Sequence, residues 1–348
     1  MAACEDEVRL SPELLEGVAD QVACRAVVQE QEVAQGLPPR IDRSASGVQQ
    51  DPEPKVRATT RAANFAKKKT PQRFKNPTDL QVRMRTGTVY IVITIACILL
   101  GPIPTVLMLS ATAGICASEF YYMVRRDAKL PNELLGTIAA VLYPLSAYFM
   151  GWSGLVCVTV ALMLSLLIWY VFWTRSRIGD VSVSFFGACY TGMLLSGLIV
   201  IRSAIPGFWG SILLLAVYAS VWANDSFAYL VGSKLGRHKL APQLSPKKSW
   251  EGFIAGLVFS GLAWIGISFI PGVTLGIPQA FAFGVICAFM EVLGDLAESR
   301  IKRNVGVKDS GTIMPGHGGL LDRCDSLFLA AITSTLLLVG SGAIPFSM

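Results

Sequence analysis

Long apolar runs alternate with short polar connections from about residue 87 to the end of this chain. Each run approaches the ~20 residues that an α-helix needs to cross a bilayer, and a helix satisfies its own backbone hydrogen bonds in lipid. The pattern predicts an all-α, polytopic integral membrane protein with about nine transmembrane helices. The expected spans are residues 87–101, 104–124, 134–151, 153–173, 181–201, 208–231, 251–270, 276–297 and 323–344.

The basic residues of the connections agree with this number of spans. Nearly all the loop charge falls in every second connection, and the intervening connections hold only Arg202. Because basic loops stay on the cytoplasmic side, we expect a cytoplasmic N-terminus and an external C-terminus. The charged connections are residues 125–129, 175–177, 232–250 and 298–322. The intervening connections are residues 101–104, 151–153, 202–207 and 271–275.

Composition separates residues 1–85 from the rest of the chain. The 348 residues are 53% hydrophobic and only 16% charged, whereas a soluble domain carries about 25% charged residues. Residues 1–85 are instead polar and poor in aromatics, which predicts a disordered cytoplasmic extension before a membrane domain at 86–348. Residues 54–85 hold 10 basic residues and 1 acidic residue. This stretch suits anionic lipid headgroups better than nucleic acid, because few aromatics interleave with its charges.

Polar residues inside the apolar runs lie near their expected cytoplasmic ends. Asn224 and Asp225 fall two turns before the end of one run, and Asp325 opens the last. Asp295 follows Glu291 by four residues and precedes Glu298 by three, so the three carboxylates share a helix face. Ionisable groups at membrane depth indicate a functional site, although the last turn of each helix could already lie in water.

The connection at residues 232–252 has two cationic clusters. The first is Lys234 to Lys239, with Arg237 and His238 between them, and the second is Lys247-Lys248. Ser249 could cap the helix that follows, and a helix N-terminus beside two lysines suits a phosphate group. A basic loop that only sets topology is an equally good interpretation.

The densest polar segment is residues 299–325, between two apolar runs. It holds five glycines and a mixture of cations, carboxylates and one histidine: Lys302, Arg303, Lys308, Asp309, His317, Asp322, Arg323 and Asp325. Such a set could bind polyanionic phosphates and a divalent metal. A basic topology loop would explain the lysines but not the three aspartates. His317 either contacts a phosphate or occupies a turn, and Asp322 either binds metal or forms a structural ion pair.

This segment resembles the signature of the phosphatidate cytidylyltransferase family. The matching positions are Ser299, Lys302-Arg303, Lys308-Asp309, His317-Gly318-Gly319 and Asp322-Arg323-Cys324-Asp325. The resemblance extends back through Asp295, the Ser-Pro-Lys-Lys-Ser-Trp-Glu-Gly loop and the Asn-Asp-Ser segment at 224–226, and so covers roughly residues 86–348. Met314 and Cys324 depart from the residues usual at their positions but keep an apolar character.

The resemblance implies a membrane enzyme that joins CTP and phosphatidic acid into CDP-diacylglycerol and pyrophosphate. It implies Mg²⁺ on Asp295 and Asp322, with a second, monovalent cation as an open question. The implied catalytic residues are Asp295, Asp322, Lys302, Arg303, Asp309 and His317. The implied substrate-binding residues are Asn224, Asp225, Lys247, Lys248, Ser299, Lys308, Arg323 and Asp325.

The resemblance also gives expectations about the surroundings of the enzyme. We expect the lipid bilayer as its environment, with a homodimer left open and no nucleic-acid partner. A prokaryotic plasma membrane with a cytoplasmic active site is the first choice, and an organellar membrane the second.

Two alternative functions have their own expected features. A CTP-dependent polyprenol kinase should lack the 299–325 pattern. An anionic-solute transporter should have midplane charges and matching halves, which this chain does not have.

Overall fold

The computed structural model describes residues 77–125, 130–314 and 318–345. The first helix begins at Pro77, eight residues before the expected end of the extension at residue 85. The predicted disorder of residues 1–76 lies outside the described residues and stays a prediction.

The described chain is almost entirely helical, which confirms the predicted class. Its helices are α1 (Pro77–Leu100), α2 (Pro102–Val124), α3 (Glu133–Phe172), α4 (Ile178–Ala188), α5 (Leu194–Ala204), α6 (Phe208–Leu235), α7 (Trp250–Ile267), α8 (Ile277–Asn304) and α9 (Leu321–Gly340). A π-helical turn at Cys189–Met193 joins α4 to α5, so the two form one span. Many large apolar side chains face outward, as lipid contact requires. The protein is therefore an integral membrane protein.

Helix α3 reverses its direction at Gly151. This glycine has φ 57° and ψ −136°, which are not helical angles. The Tyr143 hydroxyl lies 2.9 Å from the Thr159 hydroxyl, whereas sixteen residues of continuous helix would separate these side chains by about 24 Å. Helix α3 is therefore a helical hairpin with two antiparallel arms, and its turn lies where the sequence predicted a boundary at 151–153.

The predicted number of nine spans is not confirmed. Within the described residues, seven helices are long and apolar enough to cross a membrane, with α3 counted once. The shorter apolar stretch Arg85–Leu100 would have to cross as well. The nine-span topology also needs both arms of α3 to cross, and it stays a prediction.

Three of the four connections that carry little or no charge lie at one end of the bundle, as alternation predicts. Gly101, with φ 125°, makes the turn before Pro102 opens α2. The Ser211 hydroxyl at the start of α6 donates to the carbonyl of Ile98 near the end of α1 (2.8 Å). The Thr274 N–H donates to the Ala343 carbonyl beyond α9 (3.0 Å). We call this the apolar end, and the opposite end, with the charged connections, the polar end.

The polar connection after α6 contains a short β-hairpin that the sequence analysis described only as a loop. Strands β1 (Lys239–Ala241) and β2 (Ser245–Ser249) pair antiparallel. Ser249 then caps α7 by accepting the Gly252 N–H (3.2 Å), as predicted. The side chain of His238 contacts Glu251 on α7 (2.8 Å). The hairpin is thus fixed to the helix that follows it.

Candidate active site

Polar side chains from α6, α8 and α9 meet around one cavity of about 360 Å³ at the polar end. The cavity lies where the carboxyl ends of α6 and α8 approach the amino end of α9. Its lining residues are Asp225, Asp295, Lys302, Asp309, Asp322, Arg323, Asp325 and Ser326. The structure therefore brings together seven of the fourteen residues predicted for the site, from segments far apart in sequence.

Close packing of α8 on α9 keeps these groups together. Gly294, one residue before Asp295, faces the backbone of Asp325, and a Cβ at this position would lie 2.6 Å from the Asp325 carbonyl oxygen. Any larger residue would therefore push the two helices apart. The distance between the carboxylates of the two helices depends on this contact.

Lys302 is the centre of a buried ionic group. Its ammonium donates to Asp322 Oδ1 (2.6 Å) and to Glu298 Oε2 (3.1 Å). All three side chains are nearly excluded from solvent, with exposed fractions of 11%, 6% and 1% for Lys302, Asp322 and Glu298. Glu298 and Lys302 are one helical turn apart on α8, so the pair forms within the helix. Asp322 then ties this pair to α9.

Asp322 also holds two points of the glycine-rich connection between α8 and α9, residues 305–320. Its Oδ2 atom accepts the backbone N–H groups of Ser310 and Gly319, each at 2.9 Å. Gly318 has φ 88°, and a Cβ there would lie 2.6 Å from Asp322 Oδ2. The first glycine of the His-Gly-Gly motif is therefore required both by its backbone angle and by its contact. Asp322 has a structural role whether or not it also binds metal.

Lys248 links the hairpin to α8. Its ammonium lies 2.5 Å from Asp295 Oδ2, and the Ser299 hydroxyl donates to Asp295 Oδ1 (3.3 Å). Lys247 and Lys248 also line a second cavity of about 660 Å³, which shares Asp225 with the first. The two cavities are therefore neighbours, and a long anionic ligand could extend from one to the other.

Asn224 lies beneath this pair of cavities and is buried between helices. Its amide donates to Glu291 Oε2 on α8 (2.6 Å). A Cβ at Gly256 of α7 would collide with the Asn224 side-chain oxygen, so the glycine leaves room for it. Asn224 lines the second cavity and not the first. It fixes α6 against α7 and α8.

Three described residues of the predicted site line neither cavity, namely Ser299, Arg303 and Lys308. Ser299 instead contacts Asp295, which lines the first cavity. Arg303 and Lys308 are exposed, and Arg303 donates to the Val307 carbonyl (3.3 Å) at the end of its own helix. His317 lies outside the described residues, so its predicted role stays a prediction.

Glu119 on α2 is a buried carboxylate that the sequence analysis missed. Its two oxygens accept the N–H groups of Leu320 (3.1 Å) and Leu321 (2.8 Å), the first donors of α9. A Cβ on Gly311 or Gly319 would collide with this carboxylate. A negative charge at a helix N-terminus is favourable. Glu119 therefore fixes the position of the helix that carries Asp322 and Asp325. In the sequence, the signal that could have identified Glu119 was a single acidic residue within an apolar run.

The first cavity has an excess of acidic groups. Five aspartates face it, against the two cations Lys302 and Arg323. An anionic ligand entering such a cavity would be repelled unless additional cations accompanied it. Carboxylate oxygens are the protein ligands that hard divalent cations prefer.

The membrane bundle thus gathers acidic and basic side chains around one cavity at its polar end. The chain belongs to the cytidylyltransferase family, whose pattern matches residues 81–340. It is similar to the phosphatidate cytidylyltransferase of Bacillus subtilis, with 32% identity over 256 residues, 71% of this chain and 93% of that protein. It is 30% identical to the enzyme of the same name from Staphylococcus haemolyticus, over 75% of this chain and 99% of that protein. A shorter match of 127 residues to the Haemophilus influenzae phosphatidate cytidylyltransferase reaches 49% identity, over 35% of this chain and 44% of that protein.

Proposed function

We propose that this protein transfers the cytidylyl group of CTP to phosphatidic acid, giving CDP-diacylglycerol and pyrophosphate. The observation that carries the proposal is the cavity shared by α6, α8 and α9, where carboxylates and basic side chains meet at the polar end of a membrane bundle. The relatives named phosphatidate cytidylyltransferase support it, because two of them match over nearly their whole length.

The reaction needs charge neutralisation more than proton transfer. A phosphate oxygen of the lipid attacks the α-phosphorus of CTP, forming a new P–O bond. The bond from that phosphorus to its bridging oxygen breaks, and the electron pair leaves with pyrophosphate. The nucleophile is already anionic, so no strong general base is required. Lys248 and Lys302, which pair with Asp295 and Asp322, would hold phosphates and stabilise the leaving charge.

The donor set of the cavity fits Mg²⁺. Within the described residues no group of three or more His, Cys, Asp or Glu has the arrangement of a metal cluster. Mg²⁺ often uses only one or two protein carboxylates and fills its other positions with water and substrate phosphates. Asp295 and Asp322 would hold it, and the excess of carboxylates leaves donors for a second, monovalent cation. When bound, Mg²⁺ neutralises charge on the phosphates and stabilises the leaving group.

The second cavity is the proposed CTP site. It opens beside the β-hairpin, and Lys239, Lys247 and Lys248 line it. Since it shares Asp225 with the first cavity, a nucleotide bound there can extend its phosphates toward Asp295. Basic connections at the same end support a cytoplasmic orientation, from which CTP would enter. The acyl chains of the second substrate would remain in the bilayer, and a homodimer is compatible with this arrangement.

The test is CDP-lipid formation by purified protein given labelled CTP, phosphatidic acid and Mg²⁺. Asp295→Asn and Asp322→Asn should each abolish turnover, and the double variant should lose little more, since groups that act as a unit are not additive. Glu133→Gln is the matched control, because this carboxylate pairs with exposed Arg125, and neither residue lines the cavities. Near-normal activity of either aspartate variant at ordinary Mg²⁺ would remove that residue from the site.

A further inference from the structure

The glycine-rich connection between α8 and α9 has a second, apolar face. One face holds Asp322 through the N–H groups of Ser310 and Gly319. The other lines a cavity of about 400 Å³ together with α1. We call this cavity the apolar groove. Its walls are Val89, Tyr90 and Ile93 of α1 and Ile313, Met314 and Leu320 of the connection, and Arg85 and Thr86 complete the lining.

The groove runs along α1 in the same direction as a lipid in the membrane. Ile98, near the carboxyl end of α1, contacts α6 at the apolar end. Tyr90 lies much closer to the polar end, with its hydroxyl 3.6 Å from Cys324 of α9. Arg85 precedes Tyr90 on the same helix, so the exposed cation of the groove is on its polar side. Apolar walls with a cation at the headgroup level match the polarity of an anionic lipid.

The apolar groove and the first cavity are separated by the connection itself. Leu320 lines the groove, whereas its neighbour Gly319 donates to Asp322, which lines the cavity. A lipid with one chain in the groove would therefore have its headgroup at the level of the catalytic carboxylates. The groove also has a volume of about 400 Å³, within the range of roughly 300–1,000 Å³ usual for ligand sites.

We propose that the apolar groove holds one acyl chain of the phosphatidic acid substrate and that Arg85 attracts its anionic headgroup. This inference rests on the proposed function. An acyl chain that moves from lipid into an apolar groove gains little from the hydrophobic effect, because lipid tails are equally apolar. Selection of the substrate must then come from Arg85 and from the fit of the chain between α1 and the connection.

The experiment fills the groove and compares substrates with long and short chains. Ile93→Trp and Val89→Trp each place a large ring at a position that lines the groove. Val92→Trp is the matched control, because Val92 is on the same helix, is 57% exposed and does not line the groove. Activity is measured in nanodiscs with dioleoyl phosphatidic acid and in detergent with the dihexanoyl form.

For the groove-filling variants we expect the apparent KM for the dioleoyl substrate to rise about tenfold or more, as loss of substrate binding would give. The apparent KM for CTP and the turnover of the dihexanoyl substrate should not change. Arg85→Gln should raise the KM for both lipids. If Val92→Trp has the same effect as the groove variants, or if none of them has an effect, the groove holds ordinary bilayer lipid and the proposal is wrong.

A second measurement separates this proposal from the proposed function. Purified protein is incubated with mixed micelles of phosphatidic acid and phosphatidylcholine, and retained lipid is quantified by mass spectrometry. Wild-type protein should be enriched in phosphatidic acid, and Ile93→Trp should lose this enrichment. Equal enrichment in both would contradict the groove proposal even if the wild type formed no CDP-lipid. Absence of CDP-lipid from the wild type would contradict the proposed function alone.

Discussion

Replacement of Glu119 by glutamine tests whether the amino end of α9 must be held in place for activity. Glu119 is 5% exposed, and its two oxygens accept the N–H groups of Leu320 and Leu321. Glutamine keeps one accepting oxygen but turns its NH₂ group toward the other donor. The variant therefore loses one charge-assisted hydrogen bond, with a cost of about 1.5–3 kcal/mol.

This cost should appear mainly in turnover. If the lost hydrogen-bond energy raises the free energy of the arrangement in which Asp322 and Asp325 are correctly positioned, kcat should decrease roughly 10- to 150-fold. About 1.4 kcal/mol corresponds to a factor of ten. Glu119→Ala leaves both N–H groups without their acceptor and should decrease kcat further. The apparent KM for CTP should stay near the wild-type value, because Glu119 does not line the cavity of Lys247 and Lys248.

The assay is steady-state CDP-lipid formation, with thermal unfolding in detergent as the parallel measurement. Glu133→Gln, which removes a carboxylate from a surface ion pair, is the control for the loss of charge alone. Normal kcat in Glu119→Gln would refute the reasoning. A large loss of thermal stability with unchanged kcat in the remaining folded protein would show that Glu119 supports the fold but does not position the site.

Two further predictions concern contacts around the first cavity. Gly294→Ala should lower both turnover and thermal stability, because overpacking against the Asp325 carbonyl costs about 1–3 kcal/mol. Equal activity and melting temperature in the alanine and glycine proteins would contradict the close crossing of α8 and α9. Lys248→Ala should reduce turnover much more than Lys247→Ala, because only Lys248 pairs with Asp295. Preserved turnover and a normal apparent KM for CTP in both lysine variants would leave this segment with a role in topology only.

The sequence alone was sufficient to predict the class of fold and most of the residues that line the first cavity. The turn at Gly101, the boundary at Gly151 and the cap at Ser249 could be predicted, because each depends on local backbone chemistry. Asp295 and Asp322 could be expected near one another because a flexible connection joins their helices. These features depend on residues close together in the chain.

The missed features depend on distant partners. Glu119 binds backbone N–H groups about two hundred residues away, and no pattern around it indicates them. The β-hairpin was hidden because its strands are very short and polar, so they have no alternation of apolar residues. Arg303 and Lys308 are charged members of a motif, but the sequence could not show that both are exposed and line neither cavity.

The reversal of α3 at Gly151 also bears on how the chain enters the membrane during synthesis. Glu133 is the only charged residue of the forty in Glu133–Phe172, and none lies at the turn. In the folded protein the Tyr143 and Thr159 hydroxyls, 2.9 Å apart, join the two arms. In the predicted nine-span topology, the tip of this hairpin is translocated without carrying a charged group through the hydrocarbon layer. An arginine inserted at the tip would add a barrier to this step, although the finished site lies on other helices.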